Sequence, residues 1–471
     1  MKKGEIHNGI VLRVDYPNKG RVQIEGEEEP VLVKYVHPGQ KIALRLRKKR
    51  RGRWEGERLE VLMPGPGAAE AVCPYAADCG GCSYQGLSCK AQLELKESQV
   101  KHLLDEAVDG HDYGWEGVFP SPVQTGYRNK MEFTFGDAYK DGPLALGLHK
   151  RGAFHDIVTA DGCRICDADF SIILRRTLDY FDRAQVPYYH RMRHNGYLRH
   201  LLIRKARATG DILVDLVTTT EIQKTGLLTD WRNALVELED SGQLSGHLSG
   251  ILHTRNDRLG DVIADEGTEV LYGQEFFTEK LLGLTFKISP FSFFQTNSAG
   301  AETLYRIVRE YLGETKGRLV YDLYSGTGTI AQILAPAAER VIGVEIVPAA
   351  VDAARENAKK NGLDNCDFLC GDVFEVLDKQ LASGKAPDLI VLDPPREGVR
   401  PDALRRILSY GAERIVYVSC QITSLTRDLP VIIRHGYIPQ RTCSVDLFPY
   451  TTGIETVCLF SKLSEPKHDI E

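Results

Sequence analysis

The sequence predicts an α/β protein in three parts. Residues 1–63 form a small all-β barrel, 68–290 a central mixed α+β region that carries a cysteine cluster, and 291–471 a doubly wound, mainly parallel sheet. Three observations predict this. Short runs alternating apolar and polar residues, separated by turn residues, fill the first segment. Pro64-Gly-Pro-Gly67 then stops any strand or helix and marks a linker. From Leu319 onward, short apolar runs alternate with helical stretches, the pattern of strands joined by crossover helices. A chain of 471 residues is also too long for one core.

In chain order, Gly9-Ile-Val-Leu-Arg-Val-Asp15, Gly20-Arg-Val-Gln-Ile-Glu25 and Pro30-Val-Leu-Val-Lys34 are the clearest barrel strands. Residues 41–53 hold eight Lys or Arg in thirteen positions, alternating with apolar residues up to Arg47 as on a strand with one wet face. Such a run suffices for a phosphate-binding footprint; it also reads as a solvated hairpin tip. Apolar Leu93, Leu95, Val100, Leu103 and Leu104 between charges predict a helix over about 87–107. The stretch 122–290 is strand-rich, clearest at 130–135, 198–204 and 211–217, and predicts a mixed or antiparallel sheet. Strands of the last part fall at 319–324, 340–345, 367–370, 389–392 and 415–419, and residues 465–471 read as a tail.

Composition excludes several classes. With 42% hydrophobic and 26% charged residues the chain is neither disordered nor fibrous, and no apolar run approaches the roughly 20 residues a membrane helix needs. A net charge of -6 argues against a nonspecific nucleic-acid binder, so any such contact is local. The start, Met1-Lys-Lys-Gly-Glu-Ile-His-Asn8, lacks the apolar core of a secretory signal; a cytoplasmic location is expected, with the eleven cysteines reduced.

The chemistry concentrates in the last part. Asp322-Leu-Tyr-Ser-Gly-Thr-Gly-Thr329 follows a strand, where glycines let backbone approach a ligand, and the full G-x-G-x-x-G phosphate fingerprint is absent. Glu345 ends the next strand, placed to accept hydrogen bonds from ribose hydroxyls, and Asp372 follows the strand after it, placed to meet an adenine edge. Asp393-Pro-Pro-Arg-Glu-Gly398 is a turn whose Asp393 can hold a cofactor or orient a base and whose Arg396 can pair a phosphate or carboxylate. Cys420 ends a strand and Glu455 stands in a later strand-like run. Without context such a cysteine is a small core residue. Upstream, Cys73-x5-Cys79-Gly-Gly-Cys82 places three thiols on one glycine-rich loop; with a fourth from Cys163 or Cys166, they can hold zinc or an iron-sulfur cluster. Cys89, Cys366, Cys370, Cys443 and Cys458 read as packing residues.

Val391-Leu-Asp-Pro-Pro-Arg-Glu-Gly398, Val418-Ser-Cys420 with Ser424-Leu-Thr-Arg-Asp-Leu429, Phe448-Pro-Tyr-Thr-Thr-Gly-Ile-Glu-Thr-Val457 and Phe294-Gln-Thr-Asn297 together resemble the RNA uridine-C5 methyltransferase family, in its 23S rRNA form. The glycine loop and its acids look like those of class I S-adenosylmethionine-dependent methyltransferases, which have a Rossmann-like domain. The resemblance implies that Gln295, Tyr324, Glu345 and Asp393 bind S-adenosylmethionine, that Cys420 is a nucleophile adding to uracil C6, and that Glu455 is the base removing the C5 proton. It also implies a [4Fe-4S] cluster held by Cys73, Cys79, Cys82 and Cys163, and an OB-like TRAM barrel whose basic run touches RNA. Tyr127-Arg-Asn-Lys130 resembles a family segment near the substrate, and is a plain turn otherwise. Two positions depart from the family. Gln421-Ile422 stands where Asn-Pro is usual, and Gly453 where a His is common. The expected partner is 23S rRNA, acted on by a monomer. A tRNA enzyme is the second reading, set behind because the classical bacterial tRNA enzyme lacks barrel and cluster. An amino-group methyltransferase would want an aromatic residue at Arg396, and a noncatalytic iron-sulfur RNA-binding protein would not bind S-adenosylmethionine.

Overall fold

Alternating valines, leucines and isoleucines close the first five strands, β1 (Ile6–Asp15), β2 (Lys19–Ile24), β3 (Val31–Val33), β4 (Lys41–Arg50) and β5 (Arg53–Met63), into a barrel of order β1-β2-β3-β5-β4. Val11, Val22, Val31, Ile42, Leu44 and Leu46 fill it, while the other face of each strand meets water. The computed structural model describes residues 1–108, 110–221, 225–260 and 262–463; the tail read at 465–471 lies outside these.

Helix α1 (Cys89–Ala107) starts where Ser88 Oγ accepts the Ala91 N–H (3.3 Å). After β6 (Trp115–Phe119), the central layer is a seven-stranded sheet of β7 (Lys130–Asp137), β8 (Leu144–Lys150), β9 (Ala153–Val158), β10 (Leu198–Lys205), β11 (Asp211–Thr218), β12 (His247–Arg255) and β13 (Thr268–Gly273), in the order β13-β12-β11-β10-β7-β8-β9. It is mixed: β11 and β12 run parallel, and β10 is antiparallel to both its neighbours. Helices α2 (Ala168–Arg183) and α3 (Leu227–Asp240) bury Phe170, Phe181 and Trp231 against it.

The last layer follows the hairpin β14 (Phe277–Leu281) and β15 (Leu284–Ile288). Its elements are α4 (Ser298–Leu312), β16 (Leu319–Leu323), α5 (Thr329–Leu334), β17 (Arg340–Glu345), α6 (Pro348–Lys360), β18 (Cys366–Cys370), α7 (Val373–Ala382), β19 (Leu389–Leu392), α8 (Pro401–Ser409), β20 (Arg414–Ser419), α9 (Ile422–Arg434), β21 (Tyr437–Val445) and β22 (Glu455–Lys462). The eight-stranded sheet runs β18-β17-β16-β19-β20-β22-β21-β6. The five strands from β18 to β20 are parallel and buried on both faces by helices, as doubly winding requires. β22 then inserts antiparallel between β20 and β21.

Three pieces of the 68–290 stretch are built into this last layer. β6 extends the sheet's edge beside β21, with Glu116 pairing with Arg441 (2.5 Å). Val100 and Leu104 of α1 join the core under α9, and the β14–β15 hairpin buries Phe277 and Phe286 beside α4. Local periodicity gives the element type; the partner strand or helix is set by burial between residues far apart in sequence.

Candidate active site

β16 delivers Asp322 into the interior, fully buried, where its Oδ2 accepts the Ala331 N–H (2.9 Å). The chain then turns through Tyr324, a non-glycine residue at φ 65°, and Gly326 and Gly328. Gly328 is required sterically: at φ 73° a Cβ would lie 2.4 Å from the Phe368 ring. Glu345, at the end of β17, holds this loop. Its Oε2 accepts the Gly326 N–H (3.0 Å) and its Oε1 the Val347 N–H (2.9 Å).

β19 ends immediately before Asp393, and β20 immediately before Cys420. In the antiparallel pairing of β20 with β22, Ser419 faces Thr456, so one step further Cys420 and Glu455 leave the two strands side by side. These residues open onto one cavity of about 870 Å³, lined also by Gln295, Tyr324, Glu345 and Arg396. The Gln295 segment is fixed by buried Asn129, whose Nδ2 donates to the Gln295 carbonyl (3.0 Å) and to Ser298 Oγ (2.9 Å). Of its neighbours, Arg128 lines the cavity and Lys130 pairs with Glu132 (2.8 Å). Asp372 stands outside the lining. Its carboxylate caps α7, accepting the Phe374 N–H (2.9 Å), and lies close enough to Tyr324 for its charge to add to the rise that burial gives that phenol's pKa.

The electrostatics are those of a closed, acidic site. Burial, reinforced by Asp393, raises Glu455 to about 8; burial raises Asp393 to about 7. Burial, then the charge of Asp393, raises Asp322 to about 8. The Cys420 thiol is pushed up to about 11 by burial, then by Glu455 and Asp393, and Arg396 opposes the rise. Glu455 is 2% exposed and its Oε2 has no hydrogen-bond partner, so it has an oxygen to offer an incoming proton.

Gly453 and Ile422, at the two departures from the family pattern, both sit in confined surroundings. At Gly453 a Cβ would come within 2.7 Å of the Phe448 ring, which fills the space a larger side chain needs. Ile422 is fully buried at the start of α9, where it packs in the core of the layer. Sequence reasoning missed Tyr16 and Pro17, which reach the same cavity from the barrel, and Tyr305 of α4. No local pattern flags them, since Tyr35 and Trp54 are aromatic residues of the same barrel and Tyr16 does not stand out from them.

Cys73, Cys79, Cys82 and Cys163 line a separate cavity of about 20 Å³. The Gly81 N–H donates to Cys79 Sγ (3.4 Å), and Arg151 Nη2 donates to the carbonyls of Cys79 (3.3 Å) and Cys82 (2.9 Å), clamping the loop. Buried Cys166 packs in the central core. An all-sulfur donor set suits a soft metal or a cluster, although among the described residues no group of three or more His, Cys, Asp or Glu is arranged to hold a single metal ion. Cys366, Cys443 and Cys458 are buried, as packing residues are, whereas Cys89 and Cys370 are exposed, the latter donating to the Ile346 carbonyl (3.9 Å). Among the described residues no helix is long and apolar enough to cross a membrane.

Residues 231–463 match the model of the tRNA (uracil-5-)-methyltransferase family. An RNA methyltransferase of Clostridium tetani is 45% identical over 97% of this chain and 98% of its own length, and one of Caldanaerobacter subterraneus is 44% identical over 98% and 100%. The crystal structure of the Pyrococcus abyssi tRNA (uracil-54, C5)-methyltransferase in complex with S-adenosyl-L-homocysteine superposes with a TM-score of 0.74 at 25% identity, covering 96% of this chain and all of that one. The 4% left uncovered is about 19 of 471 residues, fewer than the 63 read as barrel, so a tRNA enzyme shares at least part of the region on which the preference for rRNA was based. With identity of this extent along nearly the whole chain, the protein belongs to the tRNA (uracil-5-)-methyltransferase family of S-adenosylmethionine-dependent RNA methyltransferases.

Proposed function

We propose that the protein methylates C5 of a uridine in RNA through a covalent adduct on Cys420. The observation that carries the proposal is the meeting of Cys420 and Glu455 on adjacent strand ends in one cavity with the glycine loop. Uracil C5 is a poor nucleophile. Cys420 Sγ adds to C6, the electron pair moves to C5 and O4, and C5 takes the methyl group. Glu455 then removes the C5 proton, the C5–C6 double bond re-forms, and the thiolate leaves. S-adenosylmethionine, when bound, supplies the methyl group and a positive sulfonium whose charge, like that of Arg396, favours the thiolate. Gln295, Tyr324, Glu345 and Asp393 would hold it, with Asp372 beside Tyr324 at the adenine end. The target base must be unpaired or flipped out to reach the cavity.

As substrate we propose 23S rRNA, handled by a cytoplasmic monomer whose TRAM-like barrel touches RNA through its basic hairpin. The reading rests on the motif resemblance. A tRNA substrate is the second reading, favoured by the likeness to the Pyrococcus abyssi enzyme. We further propose that Cys73, Cys79, Cys82 and Cys163 hold a [4Fe-4S] cluster, which the convergence of their thiols on one cavity supports. Iron and acid-labile sulfide in the anaerobically purified protein test it; zinc without sulfide would replace it.

Nucleoside mass spectrometry for 5-methyluridine on separated 23S rRNA and tRNA, from a deletion strain and its parent, tests the activity. Loss from 23S rRNA alone is expected. Loss from tRNA alone promotes the second reading, and no loss from either removes the proposal. Cys420→Ala should restore nothing; near-normal methylation by that variant would remove the covalent mechanism.

A further inference from the structure

The turn between β1 and β2 leaves the barrel and enters the reaction cavity. Tyr16 and Pro17 line it together with Cys420, Gln421 and Glu455, and Tyr16 packs against the core of the catalytic layer. The turn is held from several sides. The hydroxyl of fully buried Tyr84 donates to the Pro17 carbonyl (2.9 Å), Gln99 Nε2 donates to the Val14 carbonyl (3.0 Å), and Asn18 Oδ1 accepts the Tyr35 N–H (3.2 Å). A barrel that only tethered RNA would need no side chain at the reacting thiol, nor these bonds to fix one there.

The hydrogen bonds also fix what Tyr16 presents. Its hydroxyl donates to Gln421 Oε1 (3.1 Å), and Gln421 Nε2 donates to Thr423 Oγ1 (3.0 Å). A phenol has one proton and acceptor lone pairs. With the proton committed to Gln421, the oxygen meets the cavity as an acceptor alone. Uracil carries one ring donor, N3–H, between two carbonyl acceptors, so that donor is the one base atom the oxygen can pair with. The departure at Gln421 fits: glutamine is one methylene longer than the asparagine usual there, which extends its reach toward the barrel.

We infer that Tyr16 is a specificity-determining residue for the target uridine, its oxygen accepting the base N3–H while Cys420 adds at C6, so that the reaction site is incomplete without the barrel. This rests on the uridine-C5 reading above. A cytosine would set its bare N3 lone pair against the phenol oxygen and be disfavoured.

The test uses the full chain as wild type, Tyr16→Phe, Tyr16→Ala, and Tyr16→Phe combined with Gln421→Ala. Steady-state kinetics are measured on 23S rRNA and tRNA transcripts, adduct trapping on the same transcripts containing 5-fluorouridine, and S-adenosylmethionine affinity and Tm alongside. Tyr16→Phe should lower kcat/KM roughly five- to tenfold, with cofactor affinity and Tm unchanged. Tyr16→Ala should lower it further, and Gln421→Ala should add little to Tyr16→Phe because the two act as a unit. If wild type traps an adduct and Tyr16→Phe matches its kcat/KM, or loses Tm while keeping kcat/KM per folded molecule, the role of Tyr16 falls and the uridine reading stands. If wild type itself traps none on either transcript, the uridine reading falls and takes this inference with it.

Discussion

Glu455, Asp393 and Asp322 all bind their protons more tightly in the folded protein than an exposed carboxylate does, at about 8, 7 and 8. The unfolded chain releases those protons near pH 4 and the folded one does not. Their contribution to stability is therefore fully present below that pH and is lost as pH rises through the folded values. Glu455→Gln removes one such burden without changing shape: we expect its Tm to exceed wild type at pH 9 by a few degrees and to equal it at pH 4, read by calorimetry. On the proposed mechanism the same variant keeps the Cys420 nucleophile but lacks the base, so it should accumulate a covalent RNA adduct on denaturing gels; a freely dissociating complex would deny Glu455 that role. Because the base must be ionised to act, kcat/KM should rise with pH through about 8 in the wild-type enzyme. A flat profile between pH 6 and 9 would place the essential ionisation elsewhere.

At the scale of elements, the segment between β21 and β22 decides where Glu455 stands, and α1 holds that segment. Lys96 of α1 and Asp446 are both almost completely buried and pair at 2.7 Å; Lys96 also donates to the carbonyls of Phe448 (3.1 Å) and Gly453 (2.9 Å). Gln92 accepts the Tyr450 N–H (2.7 Å) and Tyr127 donates to the Pro449 carbonyl (3.0 Å). A lysine with one carboxylate and two carbonyls has every proton committed, which is how a buried ammonium is tolerated. Lys96→Met leaves Asp446 without its cation in the interior and should cost about 3–5 kcal/mol, read by denaturant unfolding. The loop it frees should lower kcat more than S-adenosylmethionine affinity, since the cofactor loop lies on other strands. Equal losses in both would mean that α1 supports the layer as a whole instead of the base.

Over the whole molecule, two buried side chains tie the layers around the cavity. Arg204 of β10, fully buried, donates to the carbonyls of Ser289 (2.8 Å), Pro290 (3.1 Å) and Ser292 (2.8 Å), and Glu279 accepts the Ser298 hydroxyl (2.6 Å) beside Gln295. The barrel completes the third side and carries a cluster of exposed cations at one hairpin tip. In the β4–β5 hairpin, Arg51 and Gly52 both have positive φ, as the two-residue turn requires. Arg47 pairs with Glu57 (2.5 Å) and Lys48 with Glu55 (3.4 Å), whereas Lys49, Arg50, Arg51 and Arg53 project from the tip with no ion pair among the described residues. If that tip lies on RNA phosphates, replacing Lys49, Arg50 and Arg51 by serine should reduce the slope of log affinity against log salt by about 2. An unchanged slope would make the tip a solvated end.

The sequence by itself determined the element types of the barrel and of the last layer, because a period of two residues or of 3.6 is a local property, and it put Cys420, Glu455, Asp393 and the glycine loop at strand ends, whereas the roles proposed for them came from the resemblance of whole motifs and α2 and α3 went unread in a strand-rich stretch. It also read the wet face of β4, whose inward residues Ile42, Leu44 and Leu46 are fully buried. Only the tertiary structure decided that α1, β6 and the β14–β15 hairpin serve the catalytic layer, that Lys96 steadies the loop before Glu455, and that a tyrosine near the start of the chain bonds to the residue after Cys420. Those placements come from burial and hydrogen bonding between segments up to 405 residues apart, and no local pattern records which distant surface a side chain will meet.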